Sequence, residues 1–484
     1  MNLSIFNTTN LFESATDLFR QLGIKLNSNY SDALKIEDVL KGQKLNTPVY
    51  KTIGKTFFIG IIDDSVFEQT GMFDVNYSYK EALQQADKSY EGLMLFALEL
   101  SDHPNRSAIS ELTRAFNRIS QKMPVALVLK YLMENENTIS ISISERFKYK
   151  QNWRQGEKAG KVIILRDIHT QTTHAGHLRI LLDLVKPVGV TNYAQLHEHW
   201  LQVLDVSILN KKFFQELANW YFWAMDNDNV QFPDDIEKKK DVRNATNLIR
   251  LITRVIFIWF IKEKSLVPNS LFNKTHLLKI LKDFNKNKKA DSYYHAILQN
   301  LFFGTLNQKM DERKFVEYRK GFVKADQGVR NIYRFPEKFS ITEKEVIELF
   351  KDIPFLNGGL FDCLDKTDDE TKKDLFVDGF TRRENKQAKV PDYLFFGEET
   401  EVDLNEIYAT KNKKYKVKGL VNLLESYKFT VAENTPIEEE IALDPELLGK
   451  VFENLLASYN PETQTTARKQ TGSFYTPREI VNYM

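Results

Sequence analysis

A chain of 484 residues exceeds the size at which a single hydrophobic core keeps growing, so two or three domains are expected. With 42% hydrophobic and 27% charged residues, and only 20 Gly and 13 Pro, global disorder, collagen-like and disulfide-framework classes are excluded. Lys plus Arg number 67 against 66 Asp plus Glu, a formal charge of +1, so any contact with nucleic acid must come from local patches. The single Cys363 excludes an internal disulfide and a cysteine-based zinc site, and no basic-then-apolar signal pattern follows Met1; a cytoplasmic protein is expected.

In chain order, Lys55 to Ile62 (KTFFIGII) reads as a buried strand ended by Asp63-Asp64-Ser65. From Tyr79 to Leu100, Leu83, Ala86, Tyr90, Leu93, Met94, Ala97 and Leu98 recur at threes and fours, which predicts one amphipathic helix. A second helix begins near Ser107 or Ser110, either of which is a suitable N-cap. Pro124 to Tyr131 and Thr138 to Arg146 are β-rich runs around Glu134 to Asn137, a hairpin, and Lys161 to Arg166 adds a strand before a His-bearing segment.

Beyond Asn192 the pattern turns helical, strongest over Asn247 to Glu263 and stopped near Pro268. Its most apolar part, Val255 to Ile261, is far shorter than the roughly 20 residues of a membrane span and reads as a core helix, so no membrane is expected as a partner. From Lys309 to Thr430 the chain is charged and turn-rich, and Asp444 to Ser458 reads as a further helix. The expected class is α+β: a mixed α/β head over 1–185, a helical domain over 186–308, a charged connector over 309–437, and a helical arm over 438–484.

Several signatures of chemistry can be tested directly. Gly54-Lys55-Thr56 mimics the end of a P-loop, but Val49 stands where its first glycine must be, and no G-x-G-x-x-G occurs. Gly358-Gly359, within FLNGGLF, reads as a tight turn between packed segments. His174 and His177 have a spacing that could share a helical face, but no third ligand follows at a fixed spacing, so no metal site is assigned. A magnesium-dependent nuclease of the PD-(D/E)xK kind would need carboxylates around a lysine; Lys130 is the lysine on offer, Val128 stands where its acid should be, and Asp63, Asp64 and Glu91 are the carboxylates that could be recruited. Basic residues interleave with aromatics at Arg146, Lys148, Lys150 and Arg154, and again at Lys413, Lys414 and Lys416, a composition that suits phosphate contact and base stacking.

The last forty residues carry the most specific signal. LDPELLGKVFENLL from Leu443, then RKQTGSFYTPREIVNYM from Arg468, closely resembles the entry into the catalytic domain of gamma-class adenine-specific DNA methyltransferases. Phe355 to Phe361 and Arg250 to Phe260 resemble segments upstream of the methylase core in fused type IIG restriction-modification enzymes and BREX-type phage-defence methyltransferases. The resemblance spans roughly 190–484. It implies S-adenosylmethionine as cofactor, with Tyr475, Thr476 and Pro477 in contact with it, double-stranded DNA as substrate, and other restriction or phage-defence subunits as partners. A Thr-Pro helix start is chemically apt, since its hydroxyl and exposed amides suit an anionic carboxylate.

The family's next elements, an F-x-G-x-G loop and a [DNS]-P-P-[YFW] motif, occur nowhere in this sequence. The resemblance therefore implies the N-terminal portion of such an enzyme, a natural truncation or a partial reading frame, leading into a Rossmann-like core it does not itself contain. Its expected work is DNA engagement and scaffolding. The alternatives are magnesium-dependent cleavage by the head, or a non-catalytic DNA-binding or partner-docking module.

Overall fold

The structure, a computed structural model, describes residues 1–449 except 9, 28–29, 44–46, 68–76, 90, 121, 149–156, 227–228, 317–330, 357, 432–433, 436–437, 444, 446 and 448. It is an α+β chain of two compact units, Met1–Lys211 with Glu425–Asp444, and Lys212–Leu424 with Pro445–Met484. The first unit thus runs past residue 185 and takes back a segment some 200 residues downstream. The 309–424 stretch packs with the helical region, within one unit.

The first unit is built on a six-stranded sheet: β1 (Ile53–Ile62), β2 (Leu93–Leu100), β3 (Val125–Met133), β4 (Glu136–Lys148), β5 (Glu157–His169) and β6 (Glu438–Glu440), in that spatial order. Strands β2 and β3 run parallel, as do β5 and β6, while β1–β2, β3–β4 and β4–β5 are antiparallel. Hence β2, β3, β5 and β6 all end on the same edge. The β3–β4 hairpin turns on Glu134 and Asn135, both at positive φ (51° and 63°), as a type I′ turn requires.

Both faces of this sheet are covered. Phe57, Leu95, Val128 and Ile163 pack under α1 (Leu11–Gln21), α4 (Ala175–Asp183) and α5 (Tyr193–Val203). Phe58, Phe96, Leu127 and Ile164 pack under α2 (Tyr79–Lys88) and α3 (Arg106–Asn117). Alternate residues of β2 therefore go to different cores, and both cores need apolar side chains.

That double burial corrects the expected helix over Tyr79 to Leu100. A Ser78/Glu81 capping box starts α2 and it stops at Lys88, after which Leu93–Leu100 is a strand. A continuous apolar run satisfies helical spacing by accident. The next helix is capped by Asn105, whose side chain accepts from Ala108 N, and not by Ser107 or Ser110. Glu438–Glu440, expected at the start of a helical arm, is instead an edge strand of the sheet, parallel to β5. Residues 450–484, with Tyr475, Thr476 and Pro477, lie outside the described residues.

The second unit is helical: α6 (Val206–Met225), which begins in the first unit, α7 (Lys240–Glu263) and α8 (Tyr293–Leu306), a π-type helix with every residue buried. Helix α7 starts earlier than the apolar pattern foretells, and is long and apolar enough to cross a membrane by length and composition alone. Most of it is buried within the unit, with Arg243, Asn244, Asn247 and Arg254 buried alongside Ile252, Ile256 and Trp259, which is the make-up of a core helix.

Candidate functional site at the carboxyl edge of the sheet

Parallel strands gather their C-terminal ends on one edge, where loops and side chains can converge on a ligand. Here that edge carries His103 just after β2, Tyr131 near the end of β3, Asp167 near the end of β5 and Glu440 at the end of β6. Asp167 sits in a β-bulge: Ile139 pairs with Ile168 and Ile141 with Leu165, so Ser140 alone faces Arg166 and Asp167. Its φ is 58°, a left-handed conformation uncommon for any residue with a Cβ, and the type of local strain found where a side chain must be re-aimed.

A closed set of polar contacts holds this conformation. Asp167 N–H donates to Ser140 Oγ (3.1 Å), and Ser140 and Tyr131 hydroxyls lie 2.6 Å apart. Tyr131 Oη donates to Asp167 Oδ1 (2.7 Å), which also meets His103 Nε2 at 2.9 Å. Burial, with Asp167 beside it, drives the Tyr131 phenol far above its ordinary pKa, so it stays a donor. Arg166 Nε lies 3.1 Å from Asp167 Oδ2 and 4.0 Å from Glu440 Oε2. Burial pushes Glu440 up, Asp167 adds to that, and Arg166, Lys428 and Arg106 oppose it. Arg106 at the start of α3 pairs with Glu438 at 3.1 Å, and Lys161 with Glu439, so charge as well as backbone pairing fixes β6 to the sheet. The His103 side chain is 39% exposed against 13% for Asp167. An imidazole oriented through one nitrogen by a sequestered carboxylate is equipped to move a proton with the other.

The four residues named for a magnesium nuclease are not brought together. Lys130 pairs with Glu99 across β2–β3 on the α1 face, where its buried ammonium donates to Thr8 O (2.8 Å) and burial lowers its pKa. Asp63 and Asp64 follow Ile62, which pairs with Leu93, and Glu91 is exposed just before β2. Leu93 and Glu99 are separated by about 20 Å of strand, at roughly 3.3 Å per residue, so the three acids sit at the opposite edge from Lys130. Asp63 Oδ1 accepts from Ser65 N and Asp64 Oδ1 from Tyr193 N, turn and loop roles that leave no magnesium cage.

The basic patches fare differently. Lys414 pairs with Glu401 (2.7 Å) and Lys416 with Glu399 (2.8 Å) across the ribbon Thr400–Val402/Tyr415–Val417, and Lys413 lies over the Tyr415 ring. Arg146 and Lys148 stand on β4, in register with Ala159 and Glu157; Lys150 and Arg154 lie outside the described residues.

Of the histidines, His174 caps α4 by accepting from Gly176 N, and His177 is 1% exposed. Burial holds His177 well below its usual pKa, with Lys428 adding to the effect. A depressed folded pKa means stability that is present above the unfolded value near 6.5 and lost as pH falls toward the folded one. Unfolding free energy should then fall by up to about 1.4 kcal/mol per pH unit below about 6.5. Urea titrations across pH 7 to 5 should show that slope flattened in His177→Leu; an unchanged slope would assign it elsewhere.

In the second unit the two upstream segments meet. Arg254 of α7 donates to Leu360 O (2.9 Å), Asp362 O (2.8 Å) and Asp378 Oδ1 (2.8 Å), which clamps the GGLF turn. Cys363, Asp365 and Asp378 lie within 4.8 Å of one another, close enough for a metal. Their oxygens are already used: Asp365 accepts four backbone N–H groups, from Val377, Asp378, Gly379 and Phe380, and Asp378 accepts from Arg254 and Leu364. Burial also pushes the Cys363 thiol up, away from the thiolate a metal takes. The cluster is a structural clamp.

No family model matches this chain, and no solved structure matches it. It is 28% identical over 312 residues to a Methanocaldococcus jannaschii protein assigned by name as a type II restriction enzyme and methyltransferase. The match takes in 59% of this chain and 20% of that protein, so the chain spans about a fifth of its relative's length.

Proposed function

We propose that this chain is the N-terminal portion of a site-specific, S-adenosylmethionine-dependent adenine DNA methyltransferase of a restriction-modification or phage-defence system, acting on double-stranded DNA in the cytoplasm and contributing DNA engagement and scaffolding. The observation that carries this reading is the Gly472-Ser-Phe-Tyr-Thr-Pro477 segment preceded by the Leu443 to Leu456 arm. The similarity to a protein named for both restriction and methylation supports the restriction-modification context. Tyr475, Thr476 and Pro477 would contact the cofactor, and the amino group of an extruded adenine would receive the methyl group in the core that follows. The head's dispersed Asp63, Asp64, Glu91 and Lys130 give no support to a magnesium-dependent cleavage site.

The test begins with the genomic DNA after the Met484 codon. An open frame running into F-x-G-x-G and [DNS]-P-P-[YFW] is expected, and the protein expressed from it should transfer label from S-adenosylmethionine to N6 of adenine in duplex DNA. A stop codon without those motifs in any nearby frame, or an extended protein that labels cytosine, would overturn the reading.

A further inference from the structure

The second unit contains a cleft of about 910 Å³ whose lining is almost wholly polar, Ala290 being its one apolar residue. Pockets for small organic ligands are mostly apolar with a few placed polar groups, so this composition points away from such a ligand. Six cationic and four acidic side chains line it. Two of the acids are already engaged: Asp283 pairs with Lys286 (2.8 Å), and Asp291 with Lys338 (2.6 Å) and His295 (3.3 Å). Lys282, Lys289 and Lys389 are exposed and make no salt bridge among the described residues. The lysines of the Thr400–Val417 ribbon are the reverse case, with Lys414 and Lys416 each neutralised by a glutamate.

Three stretches wall the cleft, 282–292, 337–338 and 382–389, and they are tied to one another before anything binds. Lys282 N–H donates to Lys338 O (2.8 Å) and Ser340 N–H to Ile280 O (2.8 Å), which joins the first wall to the second. Asp392 N–H donates to Ala290 O, and its carboxylate accepts from Asn285 N and Tyr293 N (2.8 Å each), which joins the base of the third wall to the first. Six cationic against four acidic side chains leave the cleft net positive even with Glu337 and Glu384 exposed in its lining, and unpaired ammonium groups on a cross-bonded frame suit a ligand that offers a row of fixed negative charges and no apolar body. A nucleic-acid backbone is such a ligand, and it is bound by charge without reading sequence.

We infer that this cleft seats the phosphodiester backbone of duplex DNA through Lys282, Lys289 and Lys389. The inference rests on the DNA-engagement reading above and gives it a surface. The full chain is titrated into a fluorescent duplex of random sequence by anisotropy, over about 50 to 200 mM salt, with folding of each variant checked by circular dichroism. Lys282→Glu/Lys289→Glu/Lys389→Glu should weaken binding by at least tenfold at the lowest salt. The slope of log K against log salt should become shallower by roughly 0.9 for each phosphate the variant no longer neutralises. The glutamine triple should shift both readings the same way by less, and Lys314→Glu/Lys344→Glu/Lys372→Glu, at exposed lysines outside the cleft and outside both basic patches, should leave affinity within about twofold. If the wild type binds and the cleft triples bind equally well, the cleft is not the DNA path, although DNA engagement stands. If the wild-type chain binds no duplex even at low salt, both readings fall.

Discussion

Arg254→Met should cost the second unit about 3 to 5 kcal/mol, the range for breaking a buried ion pair by removing one partner. Its side chain is 5% exposed and that of Asp378 3%, so the orphaned carboxylate could not be rescued by water without opening the core. Leu360 O and Asp362 O would lose their donor in the same step. Methionine restores part of the apolar volume, including contact with Phe303, whose ring centre lies 5.0 Å from the guanidinium, but offers no hydrogen-bond donor. Adding Asp378→Asn should recover part of the loss, so that the double variant falls about 0.5 to 3 kcal/mol short of the sum of the singles, a range typical of residues in one network. Native-state hydrogen exchange on peptides from 250–306 and 355–380 reads the opening free energy of this unit alone. A loss below about 1 kcal/mol would mean that the clamp is ornamental.

The same clamp shows what the sequence discloses and what it hides. Arg250 to Phe260 and Phe355 to Phe361 stand out as segments, and the second reads correctly as a turn between packed elements. That Arg254 reaches across 106 residues to hold that turn depends on tertiary packing, which no local pattern encodes. The β3–β4 hairpin is legible because its signal is local: two β-rich runs around a Glu-Asn turn able to adopt positive φ. Strand β6 is illegible for the opposite reason, since three glutamates show no apolar alternation and pair with Val162, Ile163 and Ile164 some 276 residues earlier. The carboxyl-edge cluster shares that fate. His103, Tyr131, Asp167 and Glu440 have no fixed spacing, and only the shared direction of four strands, two parallel pairs on either side of antiparallel β4, brings their ends to one edge. The local hint was Arg166-Asp167 inside a β-rich run, where a charged pair interrupts apolar residues at the bulge. The carboxylates singled out instead follow the end of an antiparallel strand or precede β2, so topology delivers them to the far edge.

Phe96→Ala should destabilise the first unit by about 3 to 5 kcal/mol, the usual cost of emptying a buried phenylalanine site. Phe96 is fully buried at the centre of β2, with ring centroids 5.5 Å from Phe58, 5.1 Å from Phe116 and 6.0 Å from Tyr79, all close to edge-on. Its loss removes a joint between β1, β2, α2 and α3, and each edge-on pair is worth about 0.5 to 1.5 kcal/mol beyond the area it buries. Phe96→Leu should cost less, because leucine keeps most of the volume in the same core. This substitution also separates the strand from the helix that the spacing of Tyr79 to Leu100 imitates. On that helix the apolar face holds Leu93, Met94, Ala97 and Leu98, which puts Phe96 on the opposite, solvated side, where truncation to alanine is nearly neutral or slightly favourable. In the sheet, Phe96 pairs with Phe58 on one side and Leu127 on the other and cannot be shortened without a cavity. A large drop in the urea midpoint, with faster exchange in β1 to β3, supports the sheet. A variant within about 1 kcal/mol of wild type would return the stretch to a helix and with it remove the parallel β2–β3 pair that sets the carboxyl edge.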